Sequence, residues 1–240
     1  MGNAAGSLKK HLETAEKTGA LNFTERGIDK FPPELAKVAD KLRNLDLSNN
    51  KIPSLPANIG AFKLLKSLNI SKNRIKELPE SFENLIKLEI LNLSYNILAT
   101  VPSGVNKLKN LKEVNLSHNN LVEFPVGFCG LKHLNSINLS NNSLTKIPDS
   151  VEGLEATEII VNQNQVSSVS PCIAACPRLK TLRLEENCLA LEAVPSQLFS
   201  DSSVSLVSLE GNLFDVKSLD SVPGYAVYME RYTAVKRKLD

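Results

Sequence analysis

Apolar and polar positions alternate over short runs, and the runs recur. Leu45-Asp46-Leu47 places two leucines on one side of an extended segment and a polar residue on the other, the period of a half-buried strand. The same register returns at Leu68/Ile70, Leu91/Leu93, Val114/Leu116, Ile137/Leu139, Ile159/Val161, Leu182/Leu184 and Val207/Leu209. Each run ends in an asparagine: Asn50, Asn73, Asn96, Asn119, Asn142, Asn164, Asn187 and Asn212, separated by 23, 23, 23, 23, 22, 23 and 25 positions. Such a ladder specifies one unit repeated along the chain.

Each position in the unit has a physical task. The chain must leave the strand at the asparagine, whose amide both donates to and accepts from backbone groups that a tight buried turn leaves unpaired. A return leg follows the Leu55-Pro56 pair, with apolar residues at Ile59/Phe62, Phe82/Leu85, Val105/Leu108, Phe128/Leu131 and Val151/Leu154. These predict an outer wall. Leu21, Phe23, Ile28, Phe31 and Pro32 align with Leu45, Leu47, Ile52, Leu55 and Pro56, with Arg26 in place of the asparagine. They predict a degenerate first unit, giving about nine units in all.

The pattern resembles the leucine-rich repeat, and its Leu-Pro version resembles the intracellular Ras-suppressor type of that family. The implied fold class is α/β, a curved solenoid with parallel strands on the concave face and irregular or short helical convex segments. Helical caps are expected at both ends, because a solenoid's terminal strands need cover. Residues 1–19 would hold an N-terminal acylation signal and capping helix, 20–220 the repeats, and 221–240 a C-terminal capping helix with a basic tail. Ser7 is placed to cap the first helix, with Leu8, Leu12 and Ala15 on one stripe and Gly19 at its end. Ala226, Tyr228, Met229, Tyr232, Val235 and Leu239 suggest the last helix, and Arg231, Lys236, Arg237 and Lys238 a solvated end able to attract anionic lipid.

Composition narrows the possibilities. A net charge of +2, with 42% hydrophobic and 22% charged residues, indicates neither disorder nor a globally basic nucleic-acid binder. Lys9, Lys10, His11, Glu13 and Glu16 interrupt the place where a signal peptide needs its apolar region, so an intracellular, cytoplasmic chain is expected. Cys129, Cys172, Cys176 and Cys188 do not form clustered caps and are expected as free thiols. Cys176 falls in the outer-wall column of Phe62 and Leu85, a position for a small buried hydrophobe rather than a metal ligand. The sequons at Asn69, Asn92, Asn115 and Asn138 lie in the repeat's own strand and are not read as glycosylation sites.

Met1-Gly2-Asn3-Ala4-Ala5-Gly6-Ser7 followed by Lys9-Lys10 resembles a myristoylation signal, with Gly6 where the usual pattern has Ser or Thr. Met1-Gly2-Asn3, Arg183 to Leu189, Glu210 to Phe214 and Tyr228 to Ala234 carry a whole-chain resemblance to a lipid-anchored, membrane-associated member of the family. That resemblance implies Gly2 as the acylation site and implies no established biochemical activity.

Two rows of strand residues face the concave side. Asp46, Asn69, Asn92, Asn115 and Asn138, with Ser48, Ser71, Ser94, Ser117 and Ser140, are nearly uniform and read as a ladder joining neighbouring units. Departures from uniformity are the candidates for partner binding. Tyr95 and His118 sit on adjacent units at the equivalent of Asn49; Glu158, Ile160, Arg183, Glu185 and Glu186 break the later columns. An aromatic, an aliphatic and an arginine beside carboxylates are the ingredients of a protein-binding hot spot.

The expectation is therefore a non-catalytic, monomeric scaffold or adaptor in signal transduction. It would be held at a cytoplasmic membrane surface by an N-myristoyl group, with its concave face toward an unidentified protein partner. An alternative is a regulatory subunit for a phosphatase or small GTPase. His11, His118 and His133 are scattered with no spaced nucleophile or carboxylate pair, so no catalytic residues, metal, cofactor or small-molecule substrate are expected. The concave rows lack the repeated aromatic and basic residues that nucleic-acid binding requires.

Overall fold

The computed structural model describes residues 2–237, with side chains described from Leu8 onward. Met1, Lys238, Leu239 and Asp240 lie outside the described residues, and only the backbone is described for Gly2 to Ser7. The chain forms two compact units, Met1–Asn120 and Leu121–Asp240.

In the N-terminal unit, helix α1 (Gly2–Thr18) leads into five parallel strands: β1 (Ala20–Asn22), β2 (Asn44–Asp46), β3 (Ser67–Asn69), β4 (Ile90–Asn92) and β5 (Glu113–Asn115). Successive strands pair in register, Leu21 with Leu45, Leu45 with Leu68, Leu68 with Leu91 and Leu91 with Val114. The degenerate first unit thus takes the place expected of it. Short 3₁₀ segments form the return legs, Pro33–Val38, Ile59–Ala61, Glu80–Asn84 and Ser103–Lys107. Prolines 32, 79 and 102 precede three of them in extended conformation, so the fixed ring ends the strand-side turn and aims the chain into the leg.

The C-terminal unit repeats this plan with β6 (Ser136–Asn138), β8 (Glu158–Ile160), β10 (Thr181–Arg183) and β11 (Leu206–Ser208) in one parallel sheet. A second sheet, β7 (Lys146–Ile147) with β9 (Ser168–Val169), lines the return side. Helix α2 (Gln197–Ser200) occupies the lengthened last repeat, and α3 (Tyr225–Lys236) follows it.

In both units the core lies between the sheet and the return legs. The central residue of each of the first eight main-sheet strands is buried, and so are all five predicted outer-wall pairs, from Ile59/Phe62 to Val151/Leu154. Cys176 belongs to this wall as expected, 3% exposed with its Sγ 3.2 Å from the Val151 carbonyl.

The asparagines close the corners by reaching back one repeat. Asn73 Nδ2 donates to the carbonyls of Leu47, Ile70 and Ser71 at 3.0, 3.2 and 3.1 Å, and its Oδ1 accepts the Ile52 N–H at 2.9 Å. Asn96, Asn119, Asn164 and Asn187 repeat the arrangement, each nearly buried. In the first repeat, where Arg26 replaces asparagine, the Arg26 N–H itself donates to Asn50 Oδ1 at 3.0 Å.

The residue before each of these asparagines has left-handed backbone conformation: Asn49, Lys72, Tyr95, His118, Asn141, Gln163 and Glu186, with φ between 53° and 56°. Glu25 takes the same conformation in the first repeat. Only short polar side chains tolerate this region comfortably, so most of these positions carry local strain.

The two ends differ from expectation in detail. Helix α1 begins at Gly2, which puts Ser7 inside it rather than at its cap. It ends where predicted: Gly19 is left-handed at φ 72° and its N–H donates to the Ala15 carbonyl. Leu8 and Ala15 are buried and Leu12 half-buried, against β1 and Pro33–Val38. At the other end α3 packs on α2, and the Val207 N–H of β11 donates to Tyr228 Oη at 3.0 Å. Gly224, at φ 83°, lets α3 start close to Ser200, whose N would lie 2.7 Å from an added Cβ. Arg231 is not a free basic-tail cation. Its Nε and Nη2 donate to the carbonyls of Val204 and Phe199 at 3.0 and 2.7 Å, fastening α3 to the last repeat.

Candidate protein-binding surfaces

On the open side of the sheet, the uniform rows bond mainly inside their own repeats. Asp46, Asn69, Asn92, Asn115 and Asn138 each accept, through Oδ1, the N–H of the serine two residues on, at 2.9 to 3.1 Å. Asn92 and Asn115 also accept that serine's hydroxyl at 2.8 Å. A short side chain reaches its own backbone two residues ahead more easily than a strand about 4.8 Å away, so these residues shape the turn before the left-handed position. The expected ladder between units is represented by Asn69 Nδ2, which donates to Asp46 Oδ2 at 3.0 Å.

The sequence-predicted site residues form pairs. In the N-terminal unit, the Tyr95 and His118 rings stack at 3.9 Å between centroids and 13° between planes, and Lys72 Nζ lies 5.8 Å from the Tyr95 ring. Tyr95 remains 48% exposed. Its left-handed backbone directs the side chain out of the turn, a placement that hydrophobic patterning does not reveal.

In the C-terminal unit, Glu158 accepts the Ser136 hydroxyl at 3.2 Å and faces Arg183 Nε at 3.8 Å. Both side chains are more than a third exposed, so the pair contributes little by itself. Ile160 is half-buried on β8, in register with Arg183 on β10. Asn162 Nδ2 donates to Glu185 Oε2, and the Glu185 N–H donates to Asn162 Oδ1 at 3.1 Å. Glu186, left-handed, accepts from Gln163 Nε2 at 2.8 Å. Glu185, Glu186 and Glu210 border an open depression of about 520 Å³, which gives this part of the unit an acidic surface.

Sequence reasoning missed a larger groove, about 1030 Å³, between α1 and the open side of β1 to β4. Lys10, His11 and Arg26 line its α1 and turn side, and Asp46, Ile90 and Asn92 its floor. Arg26 stacks over the Phe23 ring at 5.4 Å, and His11 meets that ring edge-on, also at 5.4 Å. Ile90 was the available signal: it interrupts the polar positions Asn44, Ser67 and Glu113, and it is 42% exposed.

Cys129, half-buried, and Cys176, buried, bear no reactive signature. Burial pushes Cys129 up to about 11 and Cys176 up to about 12. On the opposite tack, hydrogen bonds from Lys112 and Lys66, at 2.7 and 2.9 Å, hold the Glu89 carboxylate at about 2. Among the described residues no group of three His, Cys, Asp or Glu is placed to hold a metal ion, and no helix is long and apolar enough to cross a membrane.

In-register three-residue parallel strands, buried asparagine corners and 3₁₀ return legs define a class of stacked repeat protein. The model of the leucine-rich repeat region matches residues 34–220, and the chain belongs to the leucine-rich repeat family. A leucine-rich repeat protein of Leptospira interrogans has a similar structure, with TM-score 0.77, 24% identity, and coverage of 92% of this chain and 62% of that one. The ectodomain of the Arabidopsis thaliana membrane receptor kinase GASSHO1/SCHENGEN3, solved in complex with CASPARIAN STRIP INTEGRITY FACTOR 2, gives TM-score 0.64 at 26% identity, covering 83% of this chain and 25% of that one. The Drosophila Toll–Spatzle complex gives TM-score 0.71 at 23% identity, covering 82% and 27%. This chain thus spans less than two thirds of the length of each of these three. Two of these three structures were solved as complexes.

Proposed function

We propose that this chain is a non-catalytic scaffold or adaptor of the intracellular Leu-Pro repeat type, presenting the open side of its sheet to a protein partner at a cytoplasmic membrane surface. The observation that carries the reading is the contrast between rows. The regular Asn side chains accept the N–H of the serine two residues on and so turn onto their own repeat, whereas Ile160 is half-buried in register with Arg183, which itself faces Glu158. An apolar anchor next to a partly satisfied charge pair favours a protein surface over a small molecule. Affinity capture with wild type and the Ile160→Ala, Arg183→Ala, Glu185→Ala triple variant tests it. The reading predicts a protein that wild type retains and the folded variant loses; an unchanged captured set removes this surface.

Membrane attachment rests on Gly2 and on Lys9 and Lys10, which are exposed on α1. One acyl chain binds a bilayer only marginally, so these cations or the partner supply a second contact. Myristoylated wild type is expected to sediment with anionic vesicles while Gly2→Ala stays in the supernatant; equal sedimentation rejects the anchor.

A further inference from the structure

The turns that close the strands of the N-terminal unit display a second surface. Each buried corner asparagine is flanked by two outward residues, giving Asn49/Lys51, Lys72/Arg74, Tyr95/Ile97 and His118/Asn120 on four consecutive repeats. The turns are tied together by backbone hydrogen bonds, from the Lys72 N–H to Ser94 O at 2.8 Å, Asn73 N–H to Tyr95 O at 3.2 Å and Ile97 N–H to Ile75 O at 3.1 Å. Equivalent residues on adjacent repeats are therefore held at about the inter-strand spacing of ~4.8 Å.

Two chemistries meet along this edge. Lys51, Lys72, Arg74 and Lys76 are exposed, and none forms an ion pair among the described residues. Glu77 is the carboxylate nearest them in sequence. Beside these cations stand Tyr95 and Ile97, 48% and 38% exposed on either side of one asparagine. His118 stacks on one face of Tyr95, and Lys72 lies on its ring at 5.8 Å. The tyrosine is thereby fixed in orientation, which lowers the side-chain entropy lost when a partner covers it. Its left-handed backbone, φ 55°, is the one that the repeat imposes on the equivalent residue of its neighbours, Lys72 and His118 among them.

We propose that this edge binds an acidic peptide segment of a protein partner. An apolar side chain of the segment covers Tyr95 and Ile97, and its carboxylates meet Lys51, Lys72, Arg74 and Lys76. A neutral apolar segment would leave four cations beside the contact unmatched, and a basic one would be repelled. A nucleic acid fits less well, because His118, the next ring along the edge, is already stacked on Tyr95 and leaves no separate platform for a successive base. The inference rests on the protein-binding reading given above and assigns partner chemistry to a different surface from Ile160 and Arg183.

Selection of a random phage-displayed peptide library on the immobilised full chain tests it. Enriched peptides should be acidic with an aromatic or aliphatic residue among the carboxylates. Their affinity should fall about tenfold or more for Lys72→Glu/Arg74→Glu and for Tyr95→Ala, and stay within about twofold for the Ile160, Arg183, Glu185 triple variant. All these positions lie at the surface, and unchanged urea midpoints establish that the variants fold. Lys72→Gln/Arg74→Gln should give an intermediate loss. Peptides lacking acidic enrichment, or bound equally by the edge variants, overturn the proposal. So does displacement of the peptides by a single-stranded oligonucleotide or by phosphatidylserine vesicles at lower concentration than by free peptide. Peptides lost only with the triple variant overturn the edge site while leaving the protein-binding reading intact; no enrichment over bare resin counts against both.

Discussion

Asn73 holds the carbonyl of Leu47, a residue of the preceding repeat, at 3.0 Å through its side-chain amide, while its own Oδ1 takes the N–H of Ile52. One buried side chain thus satisfies backbone groups in two repeats, and the corner asparagine links stacking to turn formation. Leaving such groups buried and unpaired costs roughly 1 to 3 kcal/mol each.

Asn96→Ala strips partners from the Ile75 N–H and from the carbonyls of Ile70 and Leu93. A loss of about 2 to 4 kcal/mol is expected from urea unfolding. Asn92→Ala, which removes two local bonds from Ser94 at a part-exposed site, should cost about 1 kcal/mol or less. Equal losses would show that the corner carries no special role.

Tyr228→Phe removes the acceptor for the Val207 N–H at the last strand. Native-state hydrogen exchange at that amide should quicken about tenfold, with amides of β2 to β4 unaffected. An unchanged Val207 rate would mean that α3 does not seal this edge.

At Gln163, left-handed at φ 54° and exposed, asparagine suits the backbone better. Gln163→Asn should raise stability by about 0.5 kcal/mol, even with the hydrogen bond to Glu186 lost. Destabilisation would place the strain elsewhere.

The two raised thiols keep Cys129 and Cys176 protonated at pH 8. Iodoacetamide should label exposed Cys188 first and Cys176 only on unfolding, with peptide mapping as the readout. Prompt modification of Cys176 would contradict its place in the outer wall.

Glu89 titrates at about 2 in the folded chain against 4.5 without its lysines, so the folded state binds fewer protons. Its stabilising effect is complete above pH 4.5 and fades as pH falls toward 2. Glu89→Gln should therefore lower the urea midpoint at pH 6 and leave it nearly unchanged at pH 2. A constant difference across that range would show that the ion pairs are not its source.

Much of the fold was legible because its signal is periodic. Leucine alternation fixed the strands and their register, and the asparagine spacing fixed the corners. The left-handed position escaped notice because its occupants, among them Lys72, Tyr95 and Gln163, share a backbone angle and no chemistry. Arg231 reads as one more basic residue of a tail, and only the packing of α3 reveals the carbonyls it holds. The groove beside α1 depends on how a helix lies against β1, which no local pattern encodes. Tyr95 and His118 could be singled out as departures from a uniform column, but their stacking needed coordinates.

The most direct measurement is photo-crosslinking with p-benzoylphenylalanine placed at Ile160, on the open side of the sheet, or at Val126, 46% exposed on a return leg of the same unit. A partner on the open side of the sheet should give a protein adduct from position 160, absent when Arg183 and Glu185 are alanine, and none from position 126. An adduct from position 126 alone would place binding on the return legs and contradict it.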